Sequence, residues 1–153
     1  MPGQIPPASH RKPKVFIDAD VLFAGSVAPT EHGASLVVLR MAEITLLEAY
    51  TSHQAVAEVE RNLEIKLPKA LPVFRLLLSR CLQIVPDPDQ AELLPFDGLA
   101  NAADLPILVA AVKTGCSWLV SFNTRHFHPG YPDVVVLPPG DFLIRVRDLL
   151  SRL

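Results

Sequence analysis

Cysteine is scarce in this chain: Cys81 and Cys116 are the whole complement. Both sit inside apolar stretches, a pattern that does not make a disulfide framework and points to buried free thiols. An excess of one charge is also lacking, since 14 Lys and Arg stand against 16 Asp and Glu for a net charge of −2. That balance gives no basic footprint for nucleic acid, although a site built on metal ions can bind phosphate within an acidic protein. No apolar run approaches the roughly 18 residues that span a bilayer. The basic residues near the N-terminus are not followed by a hydrophobic signal core. Internal repeats are missing. These absences argue for a reducing, cytoplasmic setting and against a membrane partner.

What is present is a core. Half of the residues are apolar and 20% are charged, and 153 residues suit one full domain better than two. Residues 1–13 are rich in Pro, Gly, Ser and Gln, with basic side chains at Arg11 and Lys12 and, directly after them, at Lys14. They read as a flexible arm, a solvated tail in preference to a polyanion contact, ahead of a domain over 14–153.

The chain turns on Val15-Phe16-Ile17-Asp18-Ala19-Asp20-Val21-Leu22. A β-branched and aromatic run ends in two acids spaced i, i+2, and apolar residues then resume. The run predicts a short buried strand with Asp18 at its carboxyl end. In open parallel α/β sheets that edge is where sites form. A carboxylate there needs a partner, such as a hydrogen-bond donor or a metal, because its desolvation is costly. A loop Asp that caps the next turn accounts for this stretch equally well.

Short strands and helices then alternate. We expect a strand over 14–18 and a linker over 19–32 with a turn at 29–33. A helix over 34–41 follows, then a strand over 44–51, part of which could equally extend that helix. Ser52 is a good N-cap for a helix over 53–65. Further helices are expected over 68–80 and 105–114, the latter with Pro106 in its first turn and Gly115 just past its end. Strands are expected over 82–85, 118–121 and 134–137. Asp89 could cap a short helix to residue 94, and a closing helix over 140–153 has its cap near Asp141. This order predicts one α/β domain with a mainly parallel sheet flanked by helices.

Three oxygen-bearing side chains then fall at equivalent places. Asp18 follows the first strand, Asn123 follows the strand over 118–121, and Asp104 opens the helix leading into that strand. Strand carboxyl ends and the helix N-termini that follow them share one edge, so these residues can converge. Converging carboxylates repel unless a divalent cation lies between them, and hard oxygen ligands suit Mg²⁺ or Mn²⁺. Such a site activates water and stabilises charge on a phosphodiester. Helix capping by Asp104 and turn formation by Asn123 are the bland alternatives. In the helix over 53–65, Val56, Val59 and Leu63 share a face; Glu58 lies off that stripe and Glu60 nearer to it. Periodicity therefore gives no reason to single out Glu58, and a solvated face accounts for both acids.

Lys14 to Leu22 resembles the opening strand of PIN-domain ribonucleases. Ser52 to Leu63 resembles their second acidic motif, with Glu58 in the acidic place. Asp104 to Val112 resembles the third motif, and Trp118 to Phe127 the fourth, which is often apolar-apolar-Thr-x-Asp. The likeness spans roughly residues 14–137. It implies a PIN fold and an Mg²⁺- or Mn²⁺-dependent endonuclease acting on RNA. Many small members are VapC-like toxins of toxin–antitoxin pairs. Asp18, Glu58 and Asp104 carry over as the acidic site and as metal ligands, with Asn123 in the fourth place. Two departures stand out: Asn123 replaces the common Asp, and Ser121 the common Thr. Asp20, where many members have Asn or Ser, could partly restore the missing charge. The resemblance further implies that Asp18 and Asp104 hold the metal, that Glu58 and Asn123 complete its shell or orient water, and that Ser121 supports them. Arg125 and His126 are candidates for RNA backbone contact, with plain surface charge an equal alternative.

Two other readings compete. Phe16-Ile17-Asp18-Ala19-Asp20 also resembles the nucleophile motif of haloacid-dehalogenase-type phosphatases, but the later Lys and acidic pair of that chemistry are not in place: Lys113 precedes the strand over 118–121, and that strand is followed by Phe-Asn-Thr-Arg-His and not by acids. A non-catalytic PIN-like module that binds RNA or protein is the other reading, supported by Asn123. For partners we expect an RNA substrate and, for a toxin, an antitoxin. The apolar helices over 34–41 and 68–80 could supply an antitoxin or homodimer surface, or simply pack in the core.

Overall fold

A strand made of Val15, Phe16 and Ile17 belongs in the middle of a sheet covered on both faces, where continuous apolar runs are favoured. The computed structural model describes residues 12–27 and 33–152 and places it there. The strands are β1 (Lys14–Ile17), β2 (Glu48–Ser52), β3 (Leu82–Val85), β4 (Trp118–Val120) and β5 (Val135–Leu137). Their order is β3-β2-β1-β4-β5, and every pairing is parallel. Val15 lies opposite both Ala49 of β2 and Trp118 of β4, which fixes the register of the sheet's centre. Parallel strands need long crossovers. The helices α1 (Ala19–Val27), α2 (Gly33–Glu43), α3 (His53–Lys66), α4 (Leu71–Cys81), α5 (Gln90–Leu93) and α6 (Leu105–Thr114) lie in the connections up to β4, the β4–β5 connection carries only a short 3₁₀ turn over Thr124–Phe127, and α7 (Pro139–Leu150) follows β5. The expected α/β domain is thus the fold observed.

Much of the local chemistry follows expectation. The Ser52 hydroxyl accepts from the Ala55 amide at 3.3 Å and opens α3. Asp89 and Glu92 form a reciprocal capping box on α5. Gly115 takes the left-handed conformation that ends α6, at φ 79°. Other expectations are corrected. Residues 19–27 form a helix and not a linker. Residues 44–47 form a turn in which Thr45 takes φ 66°, so β2 begins only at Glu48. The closing helix begins at Pro139 after Pro138, and Asp141 lies in its first turn without capping it. Most of the expected N-terminal arm and of the turn over 29–33 lies outside the described residues.

The core is made by Phe16, Ile17 and Leu119 of the central strands with Val38 and Leu39 of α2, Phe74 of α4 and Phe142 of α7, all essentially fully buried. Burying each such side chain contributes about 1.5–3 kcal/mol. Trp118 meets Phe142 edge-on, with ring centroids 5.7 Å apart. The connection from β1 leads toward β2 on one side, while β4 lies on the other. The β1–β4 gap is therefore the topological switch point, and a crevice opens there at the strands' carboxyl ends.

Helix α1 lies beside that crevice, and its seating depends on one close approach. A Cβ built on Gly25 would come within 2.9 Å of Leu39 Cδ1 on α2. Gly25→Leu should therefore cost about 1–3 kcal/mol through overpacking. Gly33→Ala meets nothing within 4 Å and should stay within about 0.5 kcal/mol of the parent. Denaturant unfolding of both variants checks the contrast.

Candidate active site at the carboxyl edge of the sheet

Asp18 is the residue after β1. Its amide continues the ladder, donating to the Val120 carbonyl at 3.0 Å. Its own carbonyl accepts from Val21 and Leu22, so the chain turns directly into α1. The carboxylate is buried, with 7% of the residue exposed, and both oxygens accept: Oδ1 from the Ala19 amide and Oδ2 from the Ser121 hydroxyl, each at 2.8 Å.

Asp20 enters through the first turn of α1. Its Oδ2 faces three donors just past β4: the Phe122 amide at 3.0 Å, Asn123 Nδ2 at 3.1 Å and the Ser121 hydroxyl at 3.4 Å. Ser121 has one proton to give and sits 2.8 Å from Asp18, so the shorter bond takes it. The Ser121 oxygen in turn accepts from the Asn123 amide at 3.0 Å. Asp18, Ser121, Asp20 and Asn123 therefore form one hydrogen-bonded run across the switch point. Asp20 Oδ1 is buried with no partner among the described residues.

Asp104 and Glu58 flank this run. Asp104 is the N-cap residue of α6, yet its side chain makes no capping bond; Oδ2 lies 3.2 Å from His126 Nδ1. Asp104 is close enough to act electrostatically on Asp18, and Glu58 on Asp20. Glu58 is exposed on α3 and lines a cleft of about 200 Å³ with Ala19, Asp20, Phe23, Asn62 and Lys66. Asn62 and Lys66 are cleft residues that the sequence reading passed over. Their signal was present, because Glu58, Asn62 and Lys66 recur at i, i+4 and i+8 and so share one helix face. The Gln54 side chain, also unread, donates to the Ala103 carbonyl at 3.2 Å and ties α3 to the loop before Asp104. Arg125 is exposed, and among the described residues no ion pair draws it to the acids.

The PIN-domain family model matches residues 14–125, most of the chain and every one of these acids. The chain belongs to the PIN-domain family. Solved structures that share its fold include two of known source. PAE2754 from Pyrobaculum aerophilum is 14% identical over 89% of this chain and 96% of its own, with a TM-score of 0.63. VapBC2 from Rickettsia felis, bound to a DNA fragment from its promoter, is 16% identical over 80% of this chain and 96% of the matched chain, with a TM-score of 0.56. No curated protein matches the chain in sequence. The family assignment takes in Asp18 and its strand and leaves the phosphatase resemblance without support. Lys113, at the far end of α6, is paired with Glu92.

PIN domains are generally nucleases that use divalent metal ions. Among the described residues no group of three or more His, Cys, Asp or Glu side chains is drawn together closely enough to hold a metal ion by itself. The donor set nonetheless suits a hydrated divalent cation, which can bind through one or two carboxylates and keep several waters. Its atoms are hard oxygens, and the acids are held where their charge is poorly solvated. Burial, with Asp20 and Asp104 nearby, pushes Asp18 up to about 7, against the pull of the Ser121 and Ala19 donors. Burial also raises Asp20, with Glu58 adding to the effect, and raises Asp104, which His126 partly offsets. A cation relieves this strain, and the orphaned Asp20 oxygen adds to the unmet demand.

The same shifts set a pH dependence for the metal-free protein. Asp18 titrates at about 7 when folded and at 3.8 ordinarily. Between those values the folded state holds a proton that the unfolded chain has released, so this group's contribution to stability declines as pH rises. In EDTA the Tm should fall by several degrees from about pH 5 to about pH 8. Asp18→Asn should make the fall shallower and raise the Tm at the upper end. Thermal melts across that range test this, and an unchanged slope in the variant would count against a strained Asp18.

Proposed function

We propose that this PIN domain is a divalent-metal-dependent endoribonuclease and the toxin of a toxin–antitoxin pair. The observation that carries the reading is the hydrogen-bonded run Asp18–Ser121–Asn123–Asp20 at the sheet's switch point, with Asp104 acting on its Asp18 end and Glu58 on its Asp20 end. Asp18 and Asp104 would hold the Mg²⁺ or Mn²⁺, directly or through water, with Glu58 and Asn123 completing the shell or orienting the attacking water. When bound, the cation supplies Lewis acidity toward a phosphate oxygen and acidifies water.

The chain's own groups do the rest. Ser121 keeps Asp18 in place by donating to Oδ2 at 2.8 Å. Glu58, exposed and lining the cleft, would orient water or accept its proton. His126, beside Asp104 at 3.2 Å, serves both that carboxylate and the approaching phosphate backbone. Arg125 offers a second positive contact to that backbone.

The choice of RNA rests on the family resemblance in the four motifs. The toxin assignment draws on the fold shared with the VapBC2 structure. An antitoxin is the partner this implies. Val37 of α2 and Val73 and Leu76 of α4 are exposed and leave apolar surface for an antitoxin or a second copy. No helix among the described residues is long and apolar enough to cross a membrane, in keeping with a cytoplasmic site of action.

The test is cleavage of a mixed labelled RNA pool with Mn²⁺, with Mg²⁺ and with EDTA. The protein should cut with either metal and not in EDTA. Asp104→Asn should lower the rate at least about 10–100-fold, the usual scale for loss of a group that binds or orients a metal. RNA binding without cleavage under every condition would move the chain to a non-catalytic binding module.

A further inference from the structure

Asp20 does more than add a charge. Because Ser121 gives its proton to Asp18, the donors left to Asp20 Oδ2 are the Phe122 amide at 3.0 Å and Asn123 Nδ2 at 3.1 Å. An ionised carboxylate only accepts, whereas an Asn side chain has a donor end and an acceptor end. Asp20 therefore selects which end of Asn123 faces it. With the NH₂ group bound, the carbonyl oxygen on the other branch of the planar amide is turned away from Asp20. Among the described residues no protein donor reaches that oxygen, and Asn123 is exposed. A neutral residue at position 20 would lose this selectivity, since an amide or a hydroxyl can both donate and accept.

We propose that Asp20 is a positioning residue that locks the Asn123 amide with its carbonyl oxygen free for the divalent cation held by Asp18 and Asp104. The pair then divides the work of one carboxylate: Asp20 supplies the charge and Asn123 supplies the oxygen. This rests on the metal-dependent reading above.

The experiment measures Mn²⁺ affinity of the full chain, without RNA, by electron paramagnetic resonance of the free ion. Each variant's Tm in EDTA serves as its folding control. Asp20→Asn should weaken Mn²⁺ binding about tenfold. In an Asn123→Ala background the same substitution should change it by less than about threefold, because a residue that acts through another couples to it. The exchange Asp20→Asn with Asn123→Asp rebuilds the hydrogen bond with its roles reversed and should restore affinity to within about threefold of the parent. Should Asp20→Asn not fold, Asp20→Ser carries the comparison. An unchanged affinity in the position-20 variant, or an equal loss in both backgrounds, would reduce Asp20 to a loop clamp and overturn the proposal. Asp18→Asn separates the two levels of the argument. If the parent binds no Mn²⁺, or if Asp18→Asn does not weaken binding, the metal site itself is wrong and the positioning role falls with it. If Asp18→Asn abolishes binding while the exchange fails to restore it, only the positioning role is lost.

Discussion

The hydrogen bond from the Asp18 amide to the Val120 carbonyl, 3.0 Å long, is the contact on which the site depends. It carries the β1–β4 ladder one residue past the end of β1, at the point where the sheet's connections diverge. A one-residue slip would turn every side chain of a strand to the opposite face. The observed register puts the Asp18 carboxylate beside Ser121 instead. From there the geometry propagates: the Ser121 amide donates to Leu137 and anchors β4 to β5, and its hydroxyl joins Asp18 to the Asn123 backbone. On the other side of β1, the Thr51 hydroxyl donates to the Ile17 carbonyl at 2.9 Å and ties down the end of β2, just before α3 and Glu58. The site's precision thus comes from strand pairing, with helices adding single groups at its rim.

The sequence made the sheet legible because its strands are short apolar runs between turn residues, and the fold needed only their alternation with helices. It concealed α1 for a physical reason. Ala19, Val21, Leu22, Ala24, Gly25 and Ser26 are all buried, so the helix has no polar stripe to mark its period. Gly25, which reads as a helix breaker, is where α1 meets Leu39 of α2. Losing α1 also hid what Asp20 does. In a linker its direction is undefined, whereas in the first turn of a helix it points back across the crevice to Asn123. Asp104 was legible as an N-terminal acid, but only coordinates separate a cap from a site residue, and its carboxylate makes no capping bond. Glu58 was recoverable from family likeness and not from periodicity, because it faces the cleft from a helix whose buried stripe is Ala55, Val59 and Leu63.

The two cysteines clarify what kind of chemistry the fold supports. Burial pushes Cys116 up to about 12 and raises Cys81 as well, so neither thiol is a nucleophile near neutral pH. Both are core residues, as their apolar surroundings in the sequence imply. The acids whose titration burial raises, Asp18, Asp20 and Asp104, lie together at one edge of the sheet instead.

That concentration opposes folding. A carboxylate removed from water is destabilising unless donors or a cation meet it, and here the donors are shared: one Ser121 proton stands between Asp18 and Asp20, and one Asp20 oxygen has no hydrogen-bond partner among the described residues. A fully satisfied polar network at this edge would rigidify the sheet and leave nothing for a ligand to complete. That unsatisfied remainder is what the proposed metal-dependent function draws on. It leaves a poorly compensated cluster of acids, and a cation that bound there would add its binding free energy to the stability of the fold. The core around Phe16, Phe74 and Phe142 is what keeps the chain folded while that demand stands open. Stability and function then meet at the switch point, where the backbone ladder holds the acids together against their mutual repulsion.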